Sequence, residues 1–313
     1  MGEIVVLGED EVDRLLDLDA LAEALRAAYR GLSAGTASVP ARVAAYSPWG
    51  LVGAMPGYVE GLGMGTKVVS YFRGNHRLGM PGHQAVITLV DPRDGRPLAL
   101  VAGNRITGIR TAMSAAVAAA ALARPGSSVL AIVGAGVQGA AHLEAVTHLL
   151  PVAEVRVHSR DPAHAAALAG RSALCRAVGS AEEAVRGADV VCLCTDADEA
   201  MVERAWLAPG THVGSVGSGH EIDAATMADA LVVVQSRSAV TQPFPAGARE
   251  VEGWDPARLT ELGEVLAGTR PGRVSADQIT VYKSVGNAVE DVAAASVVYR
   301  AARESGGGVL VPW

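Results

Sequence analysis

The feature that most constrains this chain is the run Val129-Leu-Ala-Ile-Val-Gly-Ala-Gly-Val-Gln-Gly139, an apolar stretch ending in glycines spaced G-x-G-x-x-G. Such a run reads as a strand feeding a helix whose N-terminus can face a phosphate. Gly134 permits the tight turn, Gly136 lets backbone approach a pyrophosphate, and Gly139 lets the helix pack close to the strand, with Val137 and Gln138 opening that helix. The motif alone is weak evidence; its surroundings strengthen it. Arg124-Pro125-Gly126 breaks the chain beforehand, Val137 to Leu150 carries helical apolar spacing, and Glu154 to Ser159 reads as a second strand at the βαβ distance.

From there the chain alternates strand and helix, with strands expected at 129–133, 154–158, 189–194, 211–216 and 230–235, the pattern of a doubly wound parallel sheet. Such sheets bind ligands at the carboxyl ends of their strands. The loops Thr195-Asp-Ala-Asp198 and Gly214-Ser-Val-Gly-Ser-Gly219 are therefore candidates to line a nicotinamide site, through Thr195 and Gly217. The second strand ends in His158-Ser159-Arg160. Serine stands where an NAD-binding chain usually places the acid that holds the ribose, and the arginine suits a 2′-phosphate, so NADP is favoured over NAD. Asp161 points the other way.

The first hundred residues differ. A strand at Glu3–Leu7 precedes a helical stretch with Leu15, Leu18, Leu21, Leu25, Ala28 and Leu32 on one face, then short strands broken by Ser47-Pro-Trp-Gly50, Met55-Pro-Gly57 and Glu60-Gly-Leu-Gly63. This is an α+β module. Inside one of its strands, Met64 to Tyr71, stands Lys67, either an edge residue facing water or a buried functional amine. The alanine-rich stretch Thr107 to Leu122 reads as a connecting helix with Arg110 and Thr111 in its first turn. A cation there opposes the helix dipole. It faces either a surface acid or an anionic ligand, such as a substrate carboxylate or cofactor phosphate.

The 313 residues suit two domains at ~150 each. Half the residues are apolar, and a net charge of −7 without a basic block argues against nucleic-acid or anionic-membrane partners. Cys175, Cys192 and Cys194 are few and odd in number, which disfavours a disulfide framework or a metal site. No apolar run reaches the ~18 residues of a membrane span and the N-terminus shows no basic-then-apolar signal, so a cytoplasmic protein is expected.

Taken in order, Val39-Pro-Ala-Arg42, Met55-Pro-Gly57, Gly65-Thr-Lys67, Gly74-Asn75, Thr107-Gly-Ile-Arg110-Thr111, Gly134-Ala-Gly-Val-Gln138, Glu261 to Gly268 and Gly286-Asn-Ala-Val-Glu-Asp291 resemble the ornithine cyclodeaminase/mu-crystallin family across nearly the whole chain. The resemblance implies a homodimer in which 1–112 plus 284–313 form a substrate-binding and dimerisation domain around an inserted Rossmann domain, 113–283. It implies that Arg42 and Arg110 hold a substrate carboxylate, that Lys67 is the catalytic proton carrier, and that Thr111, Gly134, Gly136, Val137, Gln138, Gly139, Ser159, Arg160, Thr195 and Gly217 hold NADP or NAD. The chemistry suits those types: a guanidinium fork matches a carboxylate, and a lysine crowded by positive charge is pushed toward its neutral form. The implied activity is oxidation or reduction of the Cα–N bond of a small amino or imino acid, as in a ketimine reductase or amino-acid dehydrogenase. The alternatives are conversion of ornithine to proline and ammonia, or non-catalytic binding of NADPH and other ligands.

The chain departs from the cyclodeaminase pattern at one place. There, family members carry an aspartate and a proline-glycine loop before an E-L-D-like element, whereas here Gly217-Ser-Gly219 runs straight into His220-Glu221-Ile-Asp223. Glu221 reads as a structural match. Whether it, His220 or Asp223 replaces the missing aspartate is open on sequence alone.

Overall fold

The computed structural model describes residues 2–243 and 246–313. The chain divides into two compact units, Met1–Arg110 with Asn287–Trp313, and Thr111–Gly286. The family resemblance implied breaks at 112/113 and 283/284.

The first unit begins with β1 (Glu3–Leu7), α1 (Glu9–Leu15) and α2 (Leu18–Ala34). The single helical stretch expected here is two helices, because Asp17 takes extended backbone and its carboxylate caps α2 by accepting from Ala20 N at 2.7 Å. β2 (Ala37–Ser38) and β3 (Val43–Tyr46) lead into β4 (Leu51–Val59), β5 (Gly63–Tyr71), β6 (His83–Val90) and β7 (Pro97–Ala102), four strands in antiparallel succession. Lys67 stands opposite Met55 on β4 and Ile87 on β6. β5 is thus an interior strand, which removes the edge reading of this lysine. α3 (Asn104–Leu122) begins earlier than the alanine pattern suggested, since Glu9 accepts from both Asn104 N and Arg105 N at 3.1 Å and anchors its start.

In the second unit β8 (Val129–Val133), α4 (Val137–Leu149), β9 (Glu154–His158), α5 (Pro162–Ala169), β10 (Cys175–Ala177), α6 (Ala181–Val185), β11 (Val190–Leu193) and β12 (His212–Ser215) follow the expected alternation. The chain continues through α7 (Ala224–Asp229), β13 (Leu231–Val234), α8 (Ser238–Thr241), β14 (Thr260–Glu261), α9 (Leu262–Leu266) and β15 (Thr280–Lys283). All eight strands are parallel, in the order β10-β9-β8-β11-β12-β15-β13-β14. The order reverses direction between β8 and β11, which is where such sheets take ligands. Besides the short β10 and β14, β15 was not expected. Its four buried residues are too few to show a period, yet they insert between β12 and β13.

α10 (Ala288–Ser305) and β16 (Val309–Pro312) return to the first unit. Asn287 caps α10 by accepting from Val289 N at 3.1 Å, and Glu290 and Asp291 follow in its first turn, the end of the dipole that favours acids. α10 packs on α2 and on one face of β4, β5 and β6. Its approach is close: a Cβ at Gly57 would lie 3.0 Å from the Ala288 Cβ. β16 pairs antiparallel with β1, which runs parallel to β7, so the sheet is mixed. Away from α10, Val52, Met64 and Val68 are exposed, as is all of β3. Among the described residues no helix is long and apolar enough to cross a membrane.

Candidate active site

In the first unit the fold gathers a buried cluster of charge. β5 aims Lys67 at the face covered by α10, and α3 contributes Arg110, only 2% and 4% exposed. Arg110 is the seventh residue of α3 and not in its first turn, so the expected conflict with the dipole does not arise. Its anions are protein groups instead. Lys67 Nζ donates to Asp291 Oδ1 at 2.9 Å, Arg110 Nε lies 3.0 Å from the same oxygen, and Arg110 Nη1 donates to Glu290 Oε2. The other oxygen of Glu290 accepts from the Tyr29 hydroxyl of α2 at 2.9 Å. Arg42, half-buried just before β3, belongs to the same field: burial lowers its pKa, Arg110 lowers it further, and Asp291 and Glu290 oppose both.

Burial also governs Lys67. It brings the ammonium down to about 8, with Arg110 adding to the shift and Asp291 and Glu290 resisting it. For Arg110 burial again works against the charged form, but Asp291 and Glu290 together outweigh it and the pKa rises. The structure thus brings Arg42, Lys67 and Arg110 into one electrostatic cluster. Sequence reasoning missed its two carboxylates, although three cations expected in one site require anions, and adjacent acids on an alanine-rich helix were the available signal.

In the second unit the glycine loop has the geometry its spacing implied. Gly134 sits at φ +106°, and a Cβ there would meet the Cys194 carbonyl at 2.4 Å. A Cβ on Gly139 would lie 2.0 Å from the Gly134 carbonyl oxygen, whereas one on Gly136 would meet nothing within 4 Å. Gly136 is also the N-cap of α4 and has no side-chain cap hydrogen bond. Open space beside uncapped N–H groups fits a pyrophosphate. Val137 is exposed and Gln138 half-buried at this helix start. Gly134 N donates to His158 O at 2.8 Å, setting the end of β9 beside the turn. Past it, Ser159 is half-buried and Arg160 exposed, while Asp161 caps α5 by accepting from Ala163 N at 2.9 Å. Thr111 is buried on α3.

The loops after β11 and β12 close on one another. A Cβ at Gly217 would meet the Thr195 carbonyl at 2.5 Å. Glu221, fully buried, ties them together by accepting from Thr195 N (2.8 Å), Thr195 Oγ1 (2.7 Å), Ser215 Oγ (2.6 Å) and Gly217 N (2.8 Å). Four donors use both of its oxygens, which leaves no capacity for a free base. Asp223 caps α7 through Thr226 N at 3.1 Å, and His220 is exposed. Beneath the loops the buried Lys283 donates at 2.8 Å to Ser215 Oγ, the Gly217 carbonyl and Glu250 Oε1. Sequence reading missed this lysine along with its strand.

A parallel sheet with a glycine-rich turn from β8 into α4 at its switch point defines a dinucleotide-binding α/β protein. More narrowly, the chain belongs to the ornithine cyclodeaminase/mu-crystallin family, whose family model matches residues 3–306. Ketimine reductase mu-crystallin of Mus musculus is 38% identical over 256 residues, 80% of each chain. Alanine dehydrogenase of Archaeoglobus fulgidus is 31% identical, covering 95% of this chain and 94% of that one. Among solved structures, Delta(1)-pyrroline-2-carboxylate reductase of Thermococcus litoralis in complex with NADH and L-proline aligns with a TM-score of 0.91 at 32% identity, over 98% of this chain and 100% of that one.

The glycine geometry yields a contrast between two substitutions. Gly136→Ala should leave thermal unfolding within about 1 kcal/mol of the unsubstituted chain, the cost scale of a helix-end change, while fluorescence titration shows dinucleotide affinity reduced at least tenfold. Gly139→Ala should lower the unfolding temperature itself, because the Gly134 carbonyl has to move.

Proposed function

We propose that this protein is a nicotinamide-dependent oxidoreductase acting at the Cα–N bond of a small amino or imino acid, in the manner of a ketimine reductase. The observation that carries this reading is the buried cluster of Lys67 and Arg110 with Glu290 and Asp291, in whose field the half-buried Arg42 lies. Simple cofactor binding needs no such set. The relatives' names support the reading, since a ketimine reductase, a pyrroline-2-carboxylate reductase and an alanine dehydrogenase share chemistry at a carbon bonded to nitrogen.

In this reading the first unit holds the substrate and forms the dimer, and the second unit holds the cofactor through Thr111, Gly134, Gly136, Val137, Gln138, Gly139, Ser159, Arg160, Thr195 and Gly217. The bound nicotinamide supplies or accepts the hydride at Cα. Arg42 and Arg110 hold the α-carboxylate and fix the orientation of Cα. Lys67, at about 8, carries its proton below that pH and gives it to the nitrogen during reduction.

Reduction of a cyclic imine-2-carboxylate should therefore fall as pH rises through about 8, where Lys67 loses its proton, and the reverse oxidation should rise over the same range. Lys67→Met should cost ~10²–10⁴-fold in kcat/KM, the usual contribution of a positioned acid–base group. Conversion of L-ornithine to proline should be much slower than imine reduction, because Glu221 and Asp223, the acids that follow β12, are engaged in loop and helix-cap hydrogen bonds and are not available to steer the distal amine. Cofactor absorbance across a panel of imines, 2-oxo acids with amines, and amino acids tests this. Proline formed from ornithine as fast as imine is reduced would overturn it.

Two finer assignments belong to the same reading. The cofactor is NADP(H) in preference to NAD(H), since Arg160 is exposed beside Ser159 and Asp161 caps α5. Competitive titration should show NADPH binding tighter; equal affinity for NADH would defeat the assignment. The protein is a homodimer through the open face of the first unit's sheet, where Val52, Met64, Val68 and the exposed Val43 of β3 need cover. Light scattering at micromolar concentration should give twice the chain mass, and a monomer that still binds cofactor would refute the dimer.

A further inference from the structure

The two carboxylates of the buried cluster are not used alike. Glu290 has one oxygen on Tyr29 and the other on Arg110. Asp291, 1% exposed, offers Oδ1 to both Lys67 and Arg110, while its Oδ2 is buried with no hydrogen-bond partner among the described residues. A buried carboxylate oxygen without a donor bears the full cost of leaving water, and that cost is recovered when a ligand brings the donor. From this we infer that Asp291 Oδ2 accepts the N–H of the nitrogen on the substrate's Cα, which makes Asp291 a substrate-binding residue.

This rests on the proposed reading of the first unit as the amino-acid site and assigns within it the group that recognises nitrogen. Charge supports the assignment. Arg42, Lys67 and Arg110 against Glu290 and Asp291 leave one positive charge, which a single substrate carboxylate neutralises. A protonated imine or amine brought in with that carboxylate would then face three cations. It needs an anionic acceptor close by, and Oδ2 is the oxygen of the two carboxylates that is not already engaged. The nitrogen is one carbon away from the carboxylate that the arginines hold, and Asp291 lies against one of those arginines and against Lys67. The arrangement selects a monocarboxylate bearing an α-nitrogen over the same acid without it.

The test uses two ligand pairs with the cofactor-loaded protein: L-proline against cyclopentanecarboxylate, and L-alanine against propionate, each Kd measured by calorimetry. In at least one pair the amino acid should bind the unsubstituted protein about tenfold or more tightly than its nitrogen-free partner, the scale of one charge-assisted hydrogen bond. Asp291→Asn keeps the shape and should bring that ratio to within about threefold of one, with the nitrogen-free acid's Kd moved less than about threefold, as a double-substitution cycle requires. Unchanged cofactor affinity verifies that the variant is folded. If Asn does not yield folded protein, Asp291→Glu retains the charge, displaces the oxygen and should collapse the same ratio. A ratio near one in the unsubstituted protein, a ratio that survives the substitution, or equal loss of both ligands overturns the inference and leaves Asp291 a strut for Lys67 and Arg110. Failure of the unsubstituted protein to bind any of the four acids instead overturns the amino-acid reading of the unit on which the inference stands.

Discussion

The first unit depends on one buried contact, the meeting of Lys67 and Arg110 with Glu290 and Asp291. Four charged groups taken out of water carry a large desolvation cost, and their mutual attraction offsets it only when each finds a close partner. Those partners are far apart in the chain: 224 residues separate Lys67 from Asp291, and 180 separate Arg110 from Glu290. The C-terminal helix must therefore return to the sheet formed by the N-terminal residues. Its start at Asn287 and the glycine at position 57, which lets it approach, are the local features that set the carboxylates beside β5 and α3. Buried ion pairs are poor stabilisers compared with well-packed apolar side chains. Their presence in the middle of an otherwise apolar layer is better explained by what the charges hold than by stability.

The second unit also buries charge, with a different result. Glu221 spends both oxygens on the loops that follow β11 and β12, and Lys283 makes three hydrogen bonds beneath them. Two loops that would otherwise be free at the carboxyl edge of the sheet become one rigid floor. Glycine is required at 217 and 219 because carbonyls of the facing loop leave no room for a Cβ. A saturated carboxylate is a structural element. Asp291 keeps an oxygen to spare beside the cations of the first unit, and that position together with the spare oxygen is the ground for inferring recognition there.

Much of this was legible in the sequence because it is local. The tight turn at Gly134 and its contact with Gly139 lie within six residues, and strand–helix alternation reports a parallel sheet because short buried strands and crossover helices differ in period. Lys67 and Arg110 stood out because each is a charge in a segment otherwise built for burial. The one-residue alternation along β5 even places Lys67 on the same face as Gly65, which is buried too.

What the sequence by itself determined, then, is the type of the longer elements, the turn that receives a dinucleotide and the identity of the cations in the first unit's cluster. Tertiary structure decided the rest: that β15 enters between β12 and β13, that Arg110 lies beyond the first turn of α3, that Glu221 is saturated, and that Glu290 and Asp291 are the anions of the cluster. The reason is physical. Periodicity and propensity are set by neighbours along the chain, whereas the partner of a buried charge is set by which faces meet when remote segments exclude water together, and no short stretch of sequence contains that information.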